Sequence, residues 1–163
     1  MSRKRKIAVW VIIALIALTV AFIWSNSLKS QERSAESSSE VYNTVKTVLD
    51  DVFGEDVVPI THNFIRKTAH FSEFLLLGAE FSLLFIALKK ESFKGYLFVL
   101  PCGLLVAAVD EGLQTLSDRG AAFADVLIDF SGYLTAVAVF FIIFLIRHRA
   151  KTKKLKKSEI DGV

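Results

Sequence analysis

The sequence predicts an all-α integral membrane protein: a bundle of four transmembrane helices, with a short amphipathic helix in the first loop. Three observations predict it. The chain of 163 residues is 53% hydrophobic with 14 Phe, and its mean hydropathy is +0.47, whereas a soluble domain stays near about 45–50% apolar. The apolar residues gather into four long runs instead of short alternating segments. The charge, net +3, collects at the chain ends and between the runs. Cys102 is the one cysteine, which excludes an internal disulfide framework or a four-thiolate zinc site. It reads as a small hydrophobe inside an apolar run.

The elements follow in order. Residues 1–6 are a basic head, and Ile7 to Trp24, "IAVWVIIALIALTVAFIW", has 18 residues and no charge. As a helix it reaches about 27 Å at ~1.5 Å per residue, near the ~30 Å hydrocarbon thickness. A cleaved signal peptide shares this order, but the run is long for a signal core and "WSNS" is a poor cleavage site, so it reads as an anchor. The loop 25–67 is polar and its Ser-rich start predicts irregular chain. Val41, Val45, Val48, Leu49, Val52 and Phe53 then recur at helical spacing. They predict an amphipathic helix that rests on the bundle in preference to the membrane surface, with Ser37 and Glu40 as a capping box and Gly54 as its stop.

The second span is read over 70–88, the third over 93–109 and the fourth over 123–146, so that 7–146 is one membrane domain. Pro101 and Gly103 in the third predict a kink or a close helix contact. The tail, 147–163, is basic. A nucleic-acid partner is set aside for it, because such clusters beside a span hold anionic lipid or fix topology. Four spans place the head, the "KKESFK" turn and the tail on one side, with 14 of the 20 Lys and Arg. That bias predicts a multi-pass cell-membrane protein with both termini cytoplasmic, and the lipid bilayer as its first partner.

The spans carry more charge than lipid tolerates, since an ionisable group at depth costs about 2.5–3.5 kcal/mol on insertion scales. Arg66, His70, Glu73 and Glu80 fall at helical steps on one face of the second span. Asp110, Glu111 and Gln114 close the third span, and Asp125, Asp129 and Gly132 form an i, i+4, i+7 stripe on the fourth. Alternation of direction brings these groups to one membrane side. Six acids (Glu73, Glu80, Asp110, Glu111, Asp125, Asp129) face three fixed cations (Arg66, Lys67, Arg119) there. The set predicts a polar pocket for a ligand with cationic or donor-rich groups, the bland alternative being hydrogen-bonded staples between helices. His and carboxylates suit zinc, manganese or magnesium, but no dense metal motif is present and "HFSE" is weak alone, so no metal or other cofactor is expected.

The stretches "RKTAHFSEFLLLG" and "DEGLQTLSDRGAAFADVLIDFSGYLTA" resemble the VanZ-like family of bacterial membrane proteins. Lys67, His70, Gly78, Asp110, Glu111, Gln114, Arg119, Asp125 and Gly132 carry the likeness, in this order. Phe74 stands where the family often has tyrosine, and Asp129 where it often has asparagine. The resemblance implies a cell-envelope role of the kind linked to low-level resistance to the glycopeptide teicoplanin. Arg66, Lys67 and Arg119 are then expected to meet anionic head groups of an amphiphilic, lipid-linked or glycopeptide-like molecule. His70, Glu73, Asp110, Glu111, Gln114, Asp125 and Asp129 are expected to hold its donors. Two alternatives are an intramembrane hydrolase or transferase, with His70, Glu73, Asp110 and Glu111 as candidate catalytic groups, and a proton- or cation-coupled carrier. Gly and Ser positions on the third and fourth spans leave homodimerisation open.

Overall fold

A computed structural model describes residues 1–29, 31–54, 59–116 and 123–160, and five helices lie among them. They are α1 (Arg3–Ser27), α2 (Gln31–Phe53), α3 (His62–Ala87), α4 (Phe93–Leu116) and α5 (Phe123–Ile160), and no strand occurs among the described residues. Four of them, over Arg3–Ser27, His62–Ala87, Phe93–Leu116 and Phe123–Lys153, are long and apolar enough to cross a membrane. The protein is thus an all-α membrane bundle, the one architecture besides a closed barrel that leaves no backbone group unpaired in lipid.

Local chemistry sets the helix ends. Thr61 caps α3 by accepting from the Phe64 amide at 3.1 Å, and Ser92 does the same for α4 from Gly95 at 3.0 Å. Gly54 stops α2 with φ 98°, its amide donating to the Asp50 carbonyl at 2.9 Å. Lys89 turns the chain between α3 and α4 with φ 54°.

Several expected boundaries move. Of the Ser-rich stretch expected to be irregular, Ser25 to Ser27 belong to α1 and the part from Gln31 on lies within α2, a helix of 23 residues. Each serine disfavours a helix by only ~0.5 kcal/mol, and Gln31, Glu32, Arg33, Ala35 and Glu36 around them are good formers. Ser37 therefore sits inside the helix, and the expected capping box does not begin it. Helix α3 starts at His62 and α4 runs on to Leu116, so Asp110, Glu111 and Gln114 are helical instead of opening a loop. Helix α5 continues past 146 for 38 residues in all, because Lys, Arg, Ala and Leu favour helix.

Helix α3 is the hub: it packs most closely on α5 and also meets α1, α2 and α4. Small residues set these approaches, as expected where lipid offers no hydrophobic drive. A methyl at Gly132 would strike the Phe71 carbonyl oxygen, and one at Gly78 the backbone of Tyr133. Gly103 makes the close helix contact expected of the third span, with the Tyr133 ring lying over it. The Tyr133 hydroxyl donates to the Val99 carbonyl at 2.8 Å. Ile23, Phe74, Leu77, Val99, Ala107 and Val137 complete the packed centre around Tyr133. Helix α2 lies against α3, with Tyr42 stacked on His62 at 4.1 Å, while Val41, Val48, Val52 and Phe53 stay exposed. Cys102, expected to be buried, is only partly so.

Candidate functional site

Helix α3 presents its polar stripe to two different neighbours. Glu73 and Glu80 turn to α1. Asn26 donates to Glu73 Oε1 at 3.2 Å, and Thr19 donates to Glu80 Oε1 at 2.9 Å. Arg66, Lys67 and His70 turn to α4 and α5. Lys67 Nζ lies 3.5 Å from Asp125 Oδ1 and Arg66 Nη2 lies 3.8 Å from Asp125 Oδ2.

His70 sits between two carboxylates from separate helices. Its Nδ1 is 3.7 Å from Asp129 Oδ1 on α5 and 3.9 Å from Asp110 Oδ2 on α4. Asp110 is fully buried and held at both oxygens: Ser27 Oγ donates to Oδ1 at 2.6 Å and Gln114 Nε2 donates to Oδ2 at 2.9 Å. Asp129 is 1% exposed, and its Oδ2 has no hydrogen-bond partner among the described residues. The three offered ligand atoms of His70, Asp110 and Asp129 all lie within 4.8 Å of one another.

His70 and Asp129 also line a cavity of about 10 Å³, together with Arg66, Lys67, Gln114, Asp125 and Ile128. That volume holds about one water molecule. Glu111 is buried beside Asp110 on α4 but does not line the cavity. Arg119 lies outside the described residues. The reading of separate charged stretches meeting at one bundle end thus has a geometric counterpart in His70, Asp110, Asp125 and Asp129, while Glu80 pairs with α1 deeper along α3.

The sequence reading missed the part α1 plays. Asn26 and Ser27 stood in the loop there, yet both are helical. The available signal was polar residues at 19 and 26, two turns apart and so on one face of an otherwise apolar helix.

The arrangement can pair a head group's charge or hold an ion, and a family model described as VanZ/LLP1 matches residues 8–145. The chain belongs to the VanZ/LLP1 family. As a VanZ/LLP1 member it is a multi-pass membrane protein, the matched region running from α1 into α5 and spanning every residue of the cluster. No curated protein and no solved structure matches the chain.

Proposed function

We propose that this VanZ/LLP1 protein acts in the bacterial cell envelope by binding the polar head of an amphiphilic molecule, lipid-linked or glycopeptide-like, at the end of the bundle where α3, α4 and α5 converge. The observation that carries the reading is the small charged cavity of Arg66, Lys67, His70, Gln114, Asp125 and Asp129 set within helices whose outer faces are apolar. Phe64, Leu116 and Phe123, on the same helix ends, are all exposed. The space within takes one small polar group, so a head group would enter in part while its tail stays in lipid. Arg66 and Lys67 already share one carboxylate at 3.5–3.8 Å, a loose geometry that an anionic head group can displace. The excess of Lys and Arg in the head, the first inner turn and the tail favours cytoplasmic termini, which puts this end at the outer leaflet.

The test is teicoplanin susceptibility of a sensitive host expressing the protein. The wild type raises the tolerated concentration, and the double change Arg66→Ala/Lys67→Ala removes that protection at equal membrane abundance. Full protection by the double variant overturns the proposal.

A second reading, an intramembrane hydrolase or transferase, is favoured by the His70 imidazole standing between two buried carboxylates, an arrangement suited to general acid–base work. Turnover of a polyprenyl-phosphate by the purified protein, lost in His70→Ala, would carry it; its absence would leave binding alone.

A further inference from the structure

The geometry points to a divalent-cation site of the zinc or manganese type, built by His70, Asp110 and Asp129 from three separate helices. The ligand types fit: one imidazole and two carboxylates suit these borderline ions better than calcium. The spacing fits as well. Bonds of ~2.0–2.2 Å place tetrahedral ligands roughly 3.3–3.5 Å apart, and His70 Nδ1 stands 3.7 Å and 3.9 Å from its two partners. Those gaps are too long for hydrogen bonds, and all three ligand atoms lie within 4.8 Å of one another, so that gaps shortened by up to about 1.4 Å close them on one ion.

Charge and orientation argue the same way. Arg66 and Lys67 pair with Asp125 instead of with this cluster. Among the described residues, Asp110 accepts from two neutral donors, the Ser27 hydroxyl and the Gln114 amide, which fix its carboxylate as outer partners fix a metal ligand. Asp129 is 1% exposed, with Oδ1 turned to His70 and Oδ2 without a hydrogen-bond partner among the described residues. A buried, half-paired carboxylate is costly in an apolar bundle, and a cation removes that cost. His70 and Asp129 also line the small cavity. Three protein ligands therefore leave an open position there, for water or for an oxygen of an incoming head group. This site shares its cavity with the proposed function but does not depend on which amphiphile, if any, enters.

The experiment uses the full chain, purified in detergent with its affinity tag removed and stripped with a chelator. It is then titrated with Zn²⁺ and, separately, Mn²⁺. Metal content after desalting should be about one ion per chain for the wild type and for Glu80→Gln, whose side chain pairs with Thr19 away from the cluster. Asp129→Asn, nearly unchanged in shape, and His70→Ala should each weaken affinity at least ~10-fold. The ion should raise the melting temperature of the wild type and leave that of Asp129→Asn unmoved, a readout that holds as long as the variant elutes as a monodisperse species. Binding no greater than that of protein-free micelles, or an Asp129→Asn protein that binds as tightly as the wild type, overturns the site. Because no amphiphile is present, this result stands apart from the susceptibility assay. Intact metal binding with no protection counts against the amphiphile alone, and protection without metal binding counts against the cation alone.

Discussion

Asp110 shows how a single carboxylate is made tolerable inside a bundle. Ser27 and Gln114 each give it a donor, at 2.6 Å and 2.9 Å. Replacing Ser27 with alanine leaves a buried oxygen unpaired, at about 1–2 kcal/mol. Thermal unfolding of the Ser27→Ala protein in detergent micelles should show that loss, and an unchanged midpoint would mean that water replaces the hydroxyl. Glu80 offers a contrast: its one hydrogen bond in the described structure comes from Thr19, at 2.9 Å. Glutamine keeps an acceptor there, and membrane hydrogen bonds average ~0.6 kcal/mol, so Glu80→Gln should shift stability by under ~1 kcal/mol and leave teicoplanin protection as it was. At this scale the sequence was a fair guide to which ionisable side chains gather at one end of the bundle and a poor one to their hydrogen-bond partners. His70, Asp110, Asp125 and Asp129 stood out because charge is rare in lipid. Ser27 and Asn26 did not, because a serine or asparagine just past an apolar run looks like ordinary loop.

The helices depend on glycine in unequal ways. At Gly132 a methyl would meet the Phe71 backbone, which cannot step aside, and at Gly103 it would meet the Tyr133 ring. Alanine at either position should destabilise by about 1–3 kcal/mol through overpacking, read as a lower melting temperature with the helical signal retained below it. Gly112, also within α4, has nothing within 4 Å of the added methyl. Alanine there should stabilise by about 0.5–1 kcal/mol through helix propensity alone; a loss of stability would reveal a contact unseen in the single chain. The existence of four spans was legible from hydropathy, but their ends were not. Apolar content stops at the edge of lipid, whereas α3 and α4 are prolonged by caps and good helix formers that hydropathy ignores, Thr61 before α3 among them.

Alternation of direction decides what the molecule as a whole can do. Helices α3, α4 and α5 reverse in turn, so residues as far apart in the chain as His70 and Asp129 meet within 3.7 Å. A cysteine-accessibility map checks the expected orientation. In a Cys102→Ser background, Asn63→Cys should react with a membrane-impermeant thiol reagent added to intact cells, and Ser92→Cys only after lysis. Labelling of both from outside would refute cytoplasmic termini. This meeting of distant groups was legible in outline, because counting spans is enough to sort polar stretches by side. The division of the α3 stripe, with Glu73 and Glu80 given to α1, was not, since it depends on rotations about helix axes that no count of spans contains.

The packing of α1 also bears on how the chain is made. Thr19, Asn26 and Ser27 each donate to an acid on a later helix, and the stretch from Ile7 to Trp24 has no charge to hinder its own entry into lipid. Synthesis delivers the N-terminal part first, so this helix waits in the bilayer when Glu73, Glu80 and Asp110 leave the ribosome. Its hydroxyls and amide are ready donors to newcomers that would otherwise enter bare, which makes α1 an insertion partner for the later helices.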